Sequence, residues 1–282
     1  LQDLGHRVFA LVQKKREDYE GLRKTRLDLI QEPLFDVPFG SEAFYYALNQ
    51  IDKIDVFCHH AADVTNYKSP DFDPVNALSK NTFNARKTLE LLKSKNCKSF
   101  VLTGSVFEPG EGKGTDNLRA VSPYGLSKGL TSSYFQYFVP NYGIKFKKFV
   151  IPNPFGPYEE VRFTTFLAKE WLKNETPPIT MPSYVRDNIP VTLLAESYAK
   201  FVVSDLAHFN PSFKPESTAN FVERFSKNLK PFLNRPCHFK IVEQKDFSEP
   251  LERINTDPIK CLNFDEKAFY QSLAQFYLNT YG

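Results

Sequence analysis

Short apolar runs alternate along most of the chain with longer stretches whose apolar residues recur at helical spacing, so strands and helices take turns. Residues 8–12 (VFALV), rich in β-formers and bounded by polar residues, read as a buried strand, preceded by a helix tail that ends at Gly5. Residues 34–37 make a short strand ending in an acid. Residues 41–49 read as a helix with Ser41 as N-cap and Phe44, Ala47 and Leu48 on one face. From Asp55 a strand runs into His59 and His60 and then into a tight turn of small residues, Ala61 and Ala62. Residues 73–95 carry one long helical stripe through Phe83, Leu89, Leu91 and Leu92, with polar Asn81 inside it. Residues 99–103 are a buried strand ended by Gly104 and Ser105, and the glycine-rich stretch 110–114 reads as a flexible loop. A helix opens at Pro123, and residues 145–151 are a further strand.

Past that strand the alternation loosens. Pro152, Pro154 and Pro157 set a rigid turn. A helix over 161–174 holds Trp171, the segment 184–189 leads into a helix over 192–203, residues from 211 onward read as an irregular cap, and a helix over 265–277 closes the chain. The expected architecture is α/β: a doubly wound parallel sheet in a dinucleotide-binding domain, residues 1–151, with a smaller C-terminal substrate lobe, residues 152–282, and some return of the chain to the first domain. A ligand cleft is expected between the lobes. Such a sheet normally opens with a strand and a glycine-rich turn. No G-x-x-G-x-x-G occurs in the sequence, so the first strand and its turn are expected upstream of Leu1.

Composition narrows this little. Over 282 residues the hydrophobic share is 41% and the charged share 24%, ordinary for a globular chain. A net charge of +3 gives no basis for nucleic-acid binding. No apolar run approaches the length of a membrane span, and the apolar stretch near Leu1 is too short for a signal peptide. Cys58, Cys97, Cys237 and Cys261 are scattered without C-x-x-C spacing and read as reduced thiols of a cytoplasmic protein. His59 and His60 are neighbours on a strand and face opposite sides, so no metal site is expected there.

The candidate chemistry centres on Tyr124 and Lys128. At i and i+4 on a helix they share a face. A phenol with a pKa near 10 is a poor base at neutral pH, and lowering it by about three units takes roughly 4 kcal/mol. One ammonium at about 4 Å, at an effective dielectric near 20, supplies about that much. Ser105 could hold the reacting oxygen. Together these residues suit proton transfer at a carbinol while a hydride leaves its carbon. The cluster Lys14, Lys15 and Arg16, just after the run 8–12, reads either as a solvated loop or as a seat for a 2′-phosphate, which tilts the cofactor from NAD toward NADP.

These residues resemble the extended short-chain dehydrogenase/reductase family of nucleotide-sugar epimerases and dehydratases. The likeness rests on the strand Asp55-Val56-Phe57-Cys58-His59-His60-Ala61-Ala62, which resembles the family's D-x-V-x-H-x-A-A, on Asn81, on the strand bearing Ser105, on Tyr124-x-x-x-Lys128, on the N-x-x-G-P turn at Asn153, and on the V-R-D-x-I-x-V segment at Val185. It implies an NAD(P)-dependent oxidoreductase with a Rossmann-like fold, a 4-epimerase or 4-ketoreductase acting on a nucleotide sugar, and a homodimer formed through the helices near Asn81 and Tyr124. Tyr124 would be the acid/base, with Lys128, Ser105 and Asn81 as its catalytic companions. Lys14, Asp36, Val37, His60, Ala61, Ala62, Ile151, Tyr124 and Lys128 would meet the cofactor. Asn153, Arg186 and Arg253 would meet the substrate diphosphate.

There are departures from the family pattern. Val106 and Phe107 stand where 4,6-dehydratases carry Asp-Glu, which argues against that chemistry. Asn84-Ala85 replaces Gly-Thr, and Leu193 replaces a common Asp. The alternative is a non-catalytic dinucleotide sensor or scaffold of the same fold. The trio Ser105, Tyr124 and Lys128 speaks against it, since a mere binder has no need of an acidic phenol.

Overall fold

The computed structural model describes residues 1–260 and 264–282. The chain divides into two compact units. The first is Leu1–Gly110, Arg119–Val150 and Ala199–Phe209; the second is Glu111–Leu118, Ile151–Tyr198 and Asn210–Gly282.

In the first unit the central sheet has four strands in the order Val56–His59, Ser99–Ser105, Lys145–Ile151, His208–Phe209. The first pair and the last pair run parallel. The helices between strands begin where the sequence offers caps. Ser41 Oγ accepts from Phe44 N at 3.1 Å, Asp73 from Val75 N and Asn76 N, and Ser122 Oγ from Gly125 N at 3.1 Å. The core gathers Phe44, Leu48, Leu89, Leu92, Phe100 and Phe135. Lys147 and Lys148 alternate to opposite faces of a buried strand. Lys147 Nζ donates to the carbonyls of Phe201, Val202 and Ser204, closing the C-terminal end of helix Val191–Val203.

The run 8–12 is not the buried strand the pattern predicts. Only Leu11 is bridged, to Leu34, and Phe9 is 38% exposed. The segment is hydrogen-bonded along 34–37, through Val12 N to Leu34 O and Val37 N to Val12 O, but it lacks the second neighbour that two-sided burial requires. The stripe over 73–95 is two helices, Pro74–Asn81 and Ala85–Ser94. The break has a physical cause. Asn84 takes φ 51°, and its Nδ2 donates to Gly40 O at 2.9 Å. Gly40 packs so tightly there that a Cβ would lie 2.2 Å from the Phe83 carbonyl oxygen.

The second unit is built on helices Phe163–Leu172, Thr218–Leu233 and Glu266–Tyr281, whose apolar faces enclose Trp171, Phe221, Phe225, Tyr270 and Tyr277. Its three-stranded sheet runs Pro215–Ser217, Val185–Pro190, Asn153–Phe155. The expected proline turn therefore contains a strand, since proline at a short strand of this kind forfeits only one donor. The expected glycine loop contributes Lys113–Gly114, paired antiparallel with Arg253–Ile254. The region read as an irregular cap holds the helix Thr218–Leu233, in which Pro231 is tolerated near the C-terminal end. Cys58, Cys97 and Cys237 are free thiols, and Cys261 lies outside the described residues. Among the described residues no helix is long and apolar enough to cross a membrane, and no His/Cys/Asp/Glu cluster could hold a metal.

Candidate active site

The strand Ser99–Ser105 and the helix Pro123–Phe138 set the site in the first unit. Ser122 caps the helix and Pro123 occupies its first turn, so Tyr124 and Lys128 fall on successive turns of one face. Gly125 lets the helix start approach the turn after the strand, because a Cβ there would meet the Phe107 carbonyl oxygen at 2.3 Å. Lys128 is buried, and its Nζ donates to Thr103 O at 2.6 Å. Burial pushes the Lys128 ammonium below its ordinary pKa, Glu108 opposes that fall, and Lys148 adds to it. The Tyr124 ring is half-buried against Tyr67 and Phe72, with centroids at 5.2 and 6.0 Å. Ser105 ends the strand, half-buried, and its Oγ accepts from Phe107 N at 3.2 Å. Ser105 thus ends the strand, and the helix that carries Tyr124 and Lys128 packs at Gly125 against the turn just after it, at the strand end where ligands bind in open α/β sheets.

Thr103 Oγ1 also meets His60 Nδ1 at 2.7 Å. The His60 ring is hemmed in by protein yet open to solvent on one side. Burial first, and then the charge of Lys128, hold its pKa down to about 4. His59 points the other way, among Phe39, Phe57, Phe100 and Phe135. Asn81 is the last residue of its helix and is buried. Its Oδ1 accepts from Asp63 N at 2.8 Å and its Nδ2 donates to Thr131 Oγ1 at 3.1 Å, strapping the turn after Ala61 and Ala62 to the Tyr124 helix. Lys14 and Asp36 are exposed and joined by a backbone hydrogen bond of 3.0 Å, Asp36 adopts φ 59°, and Val37 belongs to the core. Arg16 is ion-paired with Asp28 at 2.8 Å.

Two residues escaped the sequence reading. Glu108 Oε1 accepts from Ser105 N at 2.7 Å, and Glu108 Oε2 lies 2.6 Å from Lys148 Nζ. The sequence carried a signal for the first: Ser105-x-x-Glu108 has the spacing of a capping box, of which the Glu108-to-Ser105 amide half is formed while Ser105 Oγ accepts from Phe107 N instead of Glu108 N.

These residues suit the nicotinamide end of a dinucleotide. A buried lysine and a half-buried phenol stand one turn apart on a helix whose start packs against the turn after Ser105, and Ala61-Ala62 carries almost no side-chain bulk.

The second unit holds a separate cavity of about 600 Å³, a size typical of small-ligand sites. Asn153 and Arg186 both line it, on adjacent parallel strands, with Phe163, Phe166, Met181 and Tyr184 supplying apolar wall. Arg186 Nη2 pairs with Glu249 at 2.8 Å, and its guanidinium stacks on Tyr184. Glu159 also lines the cavity, its Oε1 held by Thr165 Oγ1 at 2.8 Å and by Tyr277 OH at 3.1 Å. Arg253 is not among the lining residues. It is fully buried, donating to Glu111 O at 3.0 Å and pairing with Asp116. Ile151 is half-buried at the end of its strand.

Comparison with known proteins places the fold. No curated protein matches the sequence. Among solved structures, the UDP-glucose 4-epimerase of Thermotoga maritima with UDP-glucose is 17% identical, with 97% of this chain and 99% of that chain covered and a TM-score of 0.69. The Thermus thermophilus UDP-glucose 4-epimerase in complex with NAD is 16% identical, covering 96% and 99%, with a TM-score of 0.68. An NAD-dependent NDP-hexosamine 5,6-dehydratase involved in tunicamycin biosynthesis is 18% identical, covering 88% and 84%, with a TM-score of 0.65. At such identities the likeness is one of fold, and the fold is Rossmann-like. The family model for the NAD dependent epimerase/dehydratase family matches residues 1–189, and the chain belongs to that family.

Proposed function

We propose that the protein is an NAD-dependent oxidoreductase of nucleotide-activated sugars, working at the sugar 4-position as an epimerase or ketoreductase. The observation that carries this reading is the meeting of Lys128, anchored on Thr103 O, with the helix turn that bears Tyr124, beside Ser105. NAD, held by Tyr124, Lys128 and the Ala61-Ala62 turn, would supply the acceptance and return of a hydride. Tyr124, made acidic by its ammonium neighbour, takes the proton of the 4-hydroxyl and later returns it. Ser105 Oγ holds that oxygen in line. Asn153 and Arg186 bind the diphosphate, Arg186 through charge-assisted hydrogen bonds.

Epimerisation is the preferred outcome, in keeping with the 4-epimerases of similar fold. The tilt toward NADP finds no support: Arg16 is engaged by Asp28. No carboxylate stands at Val106 or Phe107, and Glu108 is committed to Lys148 and the Ser105 amide, which weighs against elimination. Dimerisation through the helices near Asn81 and Tyr124 is supported by exposed Phe83, Leu126, Leu130 and Tyr137.

The test is incubation with NAD and separate UDP-, GDP- and dTDP-hexoses, with configuration at C4 read by proton NMR. Interconversion of the C4 epimers supports the reading. If no sugar is altered, while a 4-keto sugar with NADH is not reduced either, the reading falls.

A further inference from the structure

The buried charges nearest Ser105 have no part in the chemistry above. Glu108 is fully buried and Lys148 nearly so, and the pair lies at 2.6 Å. An ion pair taken out of water is costly and is often no better than an apolar replacement, so stability alone is a weak reason for it. Its placement suggests another reason. One Glu108 oxygen accepts from the Ser105 amide at 2.7 Å, and the Glu108 amide donates to the Ser105 carbonyl at 3.0 Å, so Ser105 is gripped on both sides of its backbone. Gly104 leaves the room: a Cβ there would lie 2.6 Å from Lys148 Cε and 3.1 Å from Glu108 Oε1. On the other side of the same strand end, Lys128 binds the Thr103 carbonyl.

We propose that Glu108 and Lys148 form a positioning pair, in which the carboxylate fixes the Ser105 backbone and supplies the negative charge that keeps Lys128 an ammonium beside Tyr124, while Lys148 fixes the carboxylate. This rests on the reading of Tyr124 as the acid/base. The charged and titratable groups coupled to Lys128 are Glu108, Lys148, His59 and His60, and Tyr124 stands one turn away on the same helix. Of these Glu108 acts to hold the Lys128 proton and Lys148 to expel it. Glu108→Gln would leave the buried Lys128 and Lys148 side chains without the anion that offsets their charge. The proton on Lys128 is then harder to keep, and the phenol loses the cation that acidifies it. Glu108→Gln with Lys148→Met removes both members, so Lys128 has no competing ammonium and keeps its proton more readily than in Glu108→Gln alone.

The experiment is an ultraviolet tyrosinate titration of the full chain, with the Tyr124→Phe titration subtracted to isolate one phenol. It needs neither substrate nor cofactor. In the parent protein the Tyr124 midpoint is expected well below the ordinary phenol value. Glu108→Gln is expected to raise it by about one unit or more, which leaves about tenfold less phenolate near pH 7. The double variant is expected to move it back toward the parent. A midpoint unmoved in Glu108→Gln, or raised further in the double variant, overturns the proposal and leaves the function reading standing. A parent midpoint at the ordinary phenol value overturns both. If Glu108→Gln does not fold by circular dichroism, the double variant alone decides: a midpoint within about half a unit of the parent supports the pair, and a midpoint near the free phenol defeats it.

Discussion

The Lys128 ammonium is tied to the Thr103 carbonyl across 2.6 Å, so the cation of the site is fixed by the backbone of the neighbouring strand. A lysine stem has four rotatable bonds and loses much freedom when it is held this way. Its charge therefore waits beside the Tyr124 helix turn without a ligand to order it. Lys128→Met keeps the stem and removes the ammonium. It leaves one buried carbonyl without its donor, a cost of about 1–3 kcal/mol. Turnover is expected to fall at least about 100-fold, within the range attributed to assisted proton transfer. Paired melting and turnover measurements check this; a large loss of stability with activity retained in the folded fraction would contradict it.

His59 makes the fold sensitive to acid. Burial first, and then the charges of Lys128 and His60, hold its pKa down to about 3. The folded value lies below the unfolded value near 6.5, so its contribution is present in full above about pH 6.5 and is lost as pH falls toward 3. The loss has a limiting slope of about 1.4 kcal/mol per pH unit. Urea denaturation across that window is expected to show the slope in the parent and a shallower one in His59→Leu. Equal slopes would show that the imidazole is not what titrates.

Gly125 is needed for contact. Its missing Cβ leaves space for the Phe107 carbonyl, which a Cβ would approach to 2.3 Å. Gly125→Ala must therefore displace the turn from Ser105 to Glu108. The expected cost is about 1–3 kcal/mol of stability, as for other overpacked sites, with a larger proportional loss in turnover. Chemical denaturation and kinetics measure both. An alanine variant that matches the parent in each would show the turn to be free to move.

Two arginines of similar appearance in the sequence are expected to behave differently. Arg186 lines the cavity, and its partner Glu249 has a side chain 43% exposed that water can resolvate. Arg253 has a side chain fully buried between Glu111 and Asp116. Arg186→Met is expected to weaken UDP-sugar binding at least tenfold, about 1.4 kcal/mol, with little change in melting. Arg253→Met is expected to lower the melting temperature first. Calorimetric titration with a UDP-sugar, alongside thermal melts, separates the two, and a reversal of the pattern would exchange their roles.

Much of this was legible because local signals agreed with the fold. Ser41, Asp73, Ser122 and Asp265 cap helices as their side chains suggest. The run 99–103 pairs on the Val56–His59 side as a parallel strand. Asn153 and Arg186, far apart in sequence, come to one cavity through strand pairing, a pairing that their separate motifs do not show. What escaped the sequence depended on partners distant along the chain. The break at Asn84 follows from the close approach of Gly40, which no helical stripe reveals. The helix Thr218–Leu233 was hidden by Pro211, Pro215 and Pro231, although its apolar face is continuous from Phe221 to Leu233. Lys148 announced itself only as a charge inside an apolar run, and its partner Glu108 lies 40 positions away.

The most direct test of the central claim is Tyr124→Phe, assayed for turnover of a nucleotide sugar and for NAD affinity in the same preparation. The phenyl ring keeps the packing against Tyr67 and Phe72 and removes the one group proposed to carry the proton. Turnover is expected to drop at least about 100-fold while the NAD dissociation constant stays within about twofold. Turnover retained near the parent rate, or NAD binding lost together with it, would contradict the assignment of Tyr124 as the acid/base.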